Sequence, residues 1–213
     1  MSTLDDLVAR ARSLVPDHGR AVLGIAGAPG AGKSTLTLAL LDALGDKAAH
    51  LPMDGFHLAD AQLDRLGLRG RKGAPETFDV AGYVAALARL HAEPASMLYA
   101  PGFERDLEQP IAAALAVPPS ARLVVTEGNY LLLTSGGWER VRPHLAEVWF
   151  VDGDDGLRRT RLVARHEQFG KSPAAAREWV ERSDEANARL VTATREAADL
   201  VVDLGPDPGV GPG

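Results

Sequence analysis

Residues 27–34 read Gly-Ala-Pro-Gly-Ala-Gly-Lys-Ser and satisfy G-x-x-x-x-G-K-[ST] at each fixed position. Few stretches of eight residues leave a fold so little freedom. The glycines let successive backbone N–H groups turn inward around a phosphate. The lysine then reaches the β- and γ-phosphates, and the hydroxyl is placed for Mg²⁺. Such a loop works between the end of a strand and the N-terminus of a helix, whose dipole adds to the pull on an anion. The flanks comply: residues 20–26 read as a buried strand and Ser34–Leu41 as a helix. A dinucleotide-binding loop would need glycine at position 35, where Thr35 stands, and has no use for Lys33 and Ser34 aimed at a terminal phosphate. Gly27, Ala28, Pro29, Gly30, Ala31, Gly32, Lys33, Ser34 and Thr35 are therefore expected to cradle a nucleoside triphosphate.

A chain of 213 residues with 46% hydrophobic content can bury one substantial core, so one domain over 1–204 is expected. The net charge of −6, with no dominant basic stripe, argues against general nucleic-acid binding. No cysteine occurs, which excludes disulfides, thiolate metal sites and thiol nucleophiles. Residues 4–11 look like an amphipathic helix rather than a signal peptide, and no apolar run approaches the ~18 residues that span a bilayer. A cytoplasmic protein away from the membrane is expected. The Gly/Pro-rich tail, 205–213, is expected to be disordered.

Along the chain, strands alternate with helices. Residues 50–53 read as a short second strand weakened by Pro52. Asp79 is placed to cap a helix over 79–90, whose apolar residues recur at helical spacing. Residues 122–126 and 147–152 read as buried strands, 155–168 and 173–196 as long charged helices, and 200–204 as a last strand. The alternation predicts an α/β fold of three layers, a P-loop NTPase fold. Its central parallel sheet has about five strands, with helices on both faces and a helical lid.

In a parallel sheet, chemistry collects beyond the carboxyl ends of the strands. Besides the P-loop, two such ends carry acids: Asp54, ahead of Gly55-Phe56-His57, and Glu127, ahead of Gly128-Asn129. Beside a P-loop, a carboxylate can hold Mg²⁺ or take a proton from an attacking hydroxyl. Each acid can equally be a turn or helix cap. On the helix over 155–168, Arg158, Arg161 and Arg165 are spaced to share one face. Arginines on a lid over about 155–172 would close on a transferring phosphoryl group. The alternative is a solvated face paired with Asp154, Asp155 and Glu167. Two further segments could wall an acceptor site. One is the cationic run with Arg69, Arg71 and Lys72, and the other is 99–105, with Tyr99, Phe103 and Arg105.

Taken in order, Gly27–Ser34, Met53-Asp54-Gly55-Phe56-His57, residues 71–79 (Arg-Lys-Gly-Ala-Pro-Glu-Thr-Phe-Asp) and residues 126–133 (Thr-Glu-Gly-Asn-Tyr-Leu-Leu-Leu) carry a more specific resemblance. From about residue 18 to 203 the chain resembles the P-loop kinase group of uridine kinase, phosphoribulokinase and bacterial-type pantothenate kinase. It is nearest the nucleoside/nucleotide-kinase-like branch labelled a fructose transport system kinase. The resemblance implies a five-stranded parallel sheet with a helical lid. It also implies Asp54 as catalytic base, Glu127 beside the metal, and Arg161 and Arg165 as lid arginines. Glu104 departs from the branch, which has aspartate in a Phe-Asp-Arg run at that position.

The expected activity is ATP- and Mg²⁺-dependent phosphorylation of a hydroxyl on a small metabolite such as a nucleoside, a sugar or a pantothenate-like acceptor. Lys33, Asp54, Arg161 and Arg165 would be catalytic, and Ser34 and Glu127 would hold the metal. Asp54, His57, Arg71, Lys72, Tyr99, Phe103 and Arg105 would meet the acceptor. A small-molecule acceptor is the expected partner, without nucleic acid or membrane, and a homodimer is left open. The rival class is a regulatory NTPase acting on a protein partner. The Asn-Lys-x-Asp run that reads guanine in many such switches does not occur.

Overall fold

A computed structural model describes residues 3–205. All but one residue of the expected tail lies outside that span. The chain opens with helix α1 (Leu4–Ser13), whose Thr3 and Asp6 form a reciprocal capping box. Strand β1 (Ala21–Gly27) then runs into the P-loop and helix α2 (Lys33–Leu44). Strand β2 (Ala48–His50), helix α3 (Asp60–Leu66) and helix α4 (Val80–Ala92) follow. Next come β3 (Leu98–Glu104), β4 (Gln109–Val117), β5 (Leu123–Glu127) and β6 (Glu147–Asp152). Helices α5 (Asp155–Gln168), α6 (Pro173–Trp179) and α7 (Glu185–Thr192) lead to β7 (Leu200–Asp203).

Five strands form one sheet in the order β2-β5-β1-β6-β7, every neighbouring pair parallel. The sequence of β1 dictates its central place. Six of its seven residues are buried, because alternate side chains feed both faces. Val22 and Ala26 join Tyr83, Leu87 and Trp138 on one side, covered by α4 and the segments after β5. Leu23 and Ile25 join Leu7, Leu36 and Leu40 on the other, beneath α1 and α2. The three-layer expectation holds, and the P-loop emerges from the middle of the sheet, at the crevice where chain connections diverge.

The second strand lies two residues earlier than expected. Pro52 has no N–H to donate, so the ladder ends with Leu51 N donating to Val125 O at 3.0 Å. Asp54 therefore sits in a 3₁₀ turn over Met53–Phe56. The helix expected over 173–196 is interrupted by a π-type turn over 180–184 and ends at Thr192.

β3 and β4 form a separate antiparallel ribbon that sequence patterning does not announce. Its stem is gripped by Arg20, 6% exposed, whose guanidinium donates to Ala121 O (3.2 Å), Ser96 O (2.9 Å), Pro118 O (3.0 Å) and Glu93 O (3.4 Å). Four carbonyls thus satisfy a buried cation at the end of the molecule remote from the P-loop. Near its tip, the ribbon touches the Asp54 turn. A Cβ on Gly55 would lie 2.1 Å from Pro101 O, so only glycine lets these two backbones meet. Among the described residues, no helix is long and apolar enough to cross a membrane.

Candidate active site

The P-loop is built as its sequence requires. Gly30 adopts φ +78°, and a Cβ there would lie 2.9 Å from Leu162 Cγ and 3.0 Å from Arg158 O. The first turns of α5 thus form the roof of the loop. Lys33 opens α2 and folds back over the loop, where its Nζ donates to Gly27 O (2.9 Å), Ala28 O (2.9 Å) and Asn129 Oδ1 (2.8 Å). Burial of the ammonium lowers its pKa to about 8 from an ordinary 10.5, and the nearby Glu127 and Asp54 carboxylates only partly oppose this. It is a cation short of negative charge, in a loop shaped for phosphates.

Beside it, Ser34 Oγ donates to Glu127 Oε2 at 2.9 Å, which joins the first turn of α2 to the end of β5. Behind Glu127, His50 Nε2 lies 3.4 Å from Oε1, a buried atom with no hydrogen-bond partner among the described residues. A hydroxyl and a carboxylate converging next to a triphosphate cradle are the hard oxygen donors Mg²⁺ takes, the remaining ligands being phosphate and water. The residues present fit the ion.

Asp54 lines the same cleft. Burial pushes its carboxyl up, but His57, Arg105, Lys33 and Arg165 more than offset this, and the net pKa is below the ordinary carboxylate value. Arg105 Nη2 donates to Asp54 Oδ2 at 2.9 Å. His57 Nδ1 donates to the Asp54 carbonyl at 2.8 Å, so Nε2 carries the lone pair. Burial pushes the imidazole pKa down, against the pull of Asp54, which keeps it neutral at pH 7. The His57 ring packs on Phe78 (4.0 Å between centroids) and Phe103 (4.9 Å). Phe103 in turn lies under Arg105 at 5.1 Å and Lys72 at 5.6 Å. Lys72 Nζ donates to Asp60 Oδ1 at 2.7 Å and to the Glu108 carbonyl. Arg69 shares the other Asp60 oxygen at 2.8 Å. Glu104 accepts from Asp106 N in its own turn, at 3.3 Å.

The two motifs around Asp54 and at 71–79 prove to be one unit. His57 and Phe78 form an antiparallel bridge, Asp79 N donates to Phe56 O, and Leu58 N donates to Thr77 O. Tyr130 OH and Asn187 Nδ2 both donate to Gly73 O, and Asp79 caps α4 as expected. Within this unit Arg71 turns outward to Glu76 at 2.6 Å and stays away from the main cleft, unlike Arg69 and Lys72. Tyr99 is 64% exposed on β3 and does not line the cleft either, because it lies four residues nearer the stem than Phe103, beyond the register shift between Ala100 and Gly102.

The three arginines of α5 divide their tasks. Arg158 is 4% exposed and bonds Asp155 Oδ1 (3.0 Å), Pro29 O (3.4 Å) and Glu185. It pins α5 to the P-loop and to α7. Arg161 and Arg165 line the open cleft. Burial in the cleft wall lowers the Arg165 pKa, and the positive charge of Arg105 adds to the effect. Beyond them, His166 meets Asp184 at 2.8 Å, and Lys171 lies 5.0 Å from the Trp179 ring centroid.

The cleft encloses about 1050 Å³. That exceeds the roughly 300–1,000 Å³ usual for one ligand and leaves room for a nucleotide and a second reactant. Sequence reasoning left Asn129, Asp60, Glu108, Asp184 and Trp179 without a role, yet all line this space. Asn129 could have been found, because it follows a strand-end acid by two residues. The others give no local signal.

A five-stranded parallel sheet, a P-loop at its central crevice and a helix roofing that loop define a P-loop kinase. The comparisons narrow the class. No family model matches the chain. A Schizosaccharomyces pombe protein named "Putative uridine kinase C227.14" is 30% identical over 213 residues, covering 95% of this chain and 91% of its own. A crystal structure from Silicibacter sp. TM1040, described as a "putative fructose transport system kinase", is 35% identical. It superposes with a TM-score of 0.87 over 95% of this chain and 100% of that one. YFH7 from Saccharomyces cerevisiae shares the fold at a TM-score of 0.79 and 19% identity, over 96% and 98% of the two chains. The chain belongs to the uridine kinase group of P-loop kinases.

Proposed function

We propose that this kinase transfers the γ-phosphoryl group of ATP, with Mg²⁺, to a hydroxyl of a small metabolite. One observation carries the reading: the desolvated Lys33, the Ser34–Glu127 oxygen pair and the ionised Asp54 line a single cleft. Lys33 neutralises charge developing on the β- and γ-oxygens, where water cannot screen it. Ser34 and Glu127 hold Mg²⁺, which when bound supplies further positive charge to the phosphates. Asp54 orients the acceptor hydroxyl and takes its proton. A lowered pKa makes it a weak base, which suits a loose transition state in which positioning counts for more than basicity. Phe103, His57 and Lys72 wall the acceptor side. Residues 155–172 act as a lid that brings Arg161 and Arg165 over the transferring group.

The direct test is ADP release with and without a pool of candidate acceptors. Release that depends on acceptor, with a product heavier by one phosphate, is the expected result. Acceptor-independent release at the same rate would mark an NTPase instead. The lid makes a separate prediction. Hydrogen exchange over 155–172 should slow when an ATP analogue and acceptor are added, and unchanged protection would leave the α5 arginines as a static wall.

Lys33 makes a third. Its free pKa of about 8 leaves the group half neutral near that pH, and phosphate charge should return it toward 10.5. Nucleotide binding is therefore expected to take up a proton at pH 8.5–9 and none near pH 6.5. Calorimetry in two buffers of different ionisation enthalpy reads this directly, and buffer-independent heats at pH 8.5 would refute it. By linkage, the Lys33 contribution to ligand-free stability falls as pH climbs from about 8 to 10.5 only if the folded group held the proton more tightly; here the unfolded chain binds the extra proton, so the contribution rises over that window.

A further inference from the structure

The proton acceptor assigned above is engaged before any substrate arrives. Asp54 Oδ2 is held by Arg105 Nη2 at 2.9 Å. The ribbon that delivers Arg105 is seated against the Asp54 turn by the Gly55–Pro101 contact, so the pair follows from the fold as well as from rotamer choice. A carboxylate in a charge-assisted bond to a guanidinium has less lone pair to offer a hydroxyl. The pair is partly exposed, with side chains 45% and 35% accessible, and pairs of that kind are weak. A ligand can therefore exchange it. Arg105 stacks on Phe103 at 5.1 Å and lines the same cleft as Arg165, a like charge. Two guanidiniums lining one cleft invite an anion, and Lys72 stands over the same Phe103 ring.

We propose that Arg105 is both a mask on Asp54 and the reader of the acceptor. The acceptor carries, besides its hydroxyl, an anionic group, a carboxylate or a phosphate, that takes Arg105 and so frees Asp54. This inference rests on the reading of Asp54 as the hydroxyl's proton partner. The same mask would spare ATP in a wet cleft. Until an anion arrives, Asp54 is not free to align water, whose oxygen would bond to the γ-phosphorus as the bond to the β–γ bridging oxygen breaks. ADP would leave and the water proton would pass to Asp54.

The test needs no knowledge of the acceptor. Release of inorganic phosphate from MgATP in water is measured for the wild type, Arg105→Met, Asp54→Asn and the double variant; methionine keeps a stem over Phe103. Arg105→Met is expected to hydrolyse ATP about tenfold faster than the wild type, and Asp54→Asn should cancel the gain in the double variant. No rise in Arg105→Met, while Asp54→Asn still slows the wild type, overturns the mask and leaves the reading of Asp54 standing. If Asp54→Asn changes nothing in either background, the reading of Asp54 falls and takes the mask with it. Millimolar phosphite and acetate serve as anion probes. Stimulation of the wild type but not of Arg105→Met supports the anionic acceptor. Phosphite alone would indicate a phosphate-bearing acceptor and acetate alone a carboxylate. Stimulation by neither overturns the anionic class.

Discussion

Lys33→Ala is expected to slow phosphoryl transfer by about 100-fold or more, the usual cost of one preorganised contact to transition-state charge in a water-poor site. The folded chain should tolerate the change. Burial already holds the Lys33 ammonium at a pKa of about 8, so its charge is a burden on the native state rather than a support. Its hydrogen-bond acceptors are the carbonyls of Gly27 and Ala28 and the Asn129 amide oxygen, and Lys33 itself lines the cleft together with Asn129, so water can enter the space the ammonium leaves. The circular dichroism spectrum and thermal midpoint should therefore stay close to wild type while turnover collapses. A variant that keeps more than about a tenth of the wild-type rate would remove Lys33 from the chemistry.

The second large effect is expected at Asp54. Asp54→Asn preserves shape and one acceptor oxygen for Arg105, but it can no longer receive a proton. It should lower kcat by about 10²- to 10⁴-fold, the range of general acid–base contributions. ATP affinity should stay within a few-fold, because the hydrogen-bonded partner of the Asp54 carboxylate, Arg105, stands on the ribbon and not on the P-loop. An equal fall in binding and turnover would instead give Asp54 a share in holding the metal. Unchanged kinetics would make it a turn residue.

What could be read in advance follows from what is local. The P-loop, the five sheet strands and the Asp79 cap depend on neighbours in sequence, and each lies where its residues indicate, apart from the two-residue shift that Pro52 imposes on β2. The ribbon was hidden because β4 is alanine-rich, contains Pro110 and shows no alternation, while β3 carries Pro101-Gly102. Spacing put Arg158, Arg161 and Arg165 on one face but could not separate them. The residue that claims Arg158 is Glu185, on another helix. Positive charge at 69–72 was visible, but not that Arg71 would turn to Glu76 while Lys72 turned inward to Asp60. The π-type turn at 180–184 leaves the apolar rhythm of the long C-terminal helix almost undisturbed, so it too has no sequence signature.

The grip of Arg20 on the stem of the ribbon bears on which side chains can be exchanged. The P-loop and the Ser34–Glu127 pair belong to the parallel sheet and the loops at its crevice, whereas Phe103, Arg105 and Glu108 ride on a two-stranded piece that shares no ladder with it. The buried guanidinium fastens that piece through main-chain carbonyls at 93, 96, 118 and 121, which any side chain at those positions would also present. The attachment is therefore indifferent to the sequence of the ribbon. Side chains between 103 and 109, at the tip, can therefore be exchanged without loosening the stem or touching the ladders of the parallel sheet.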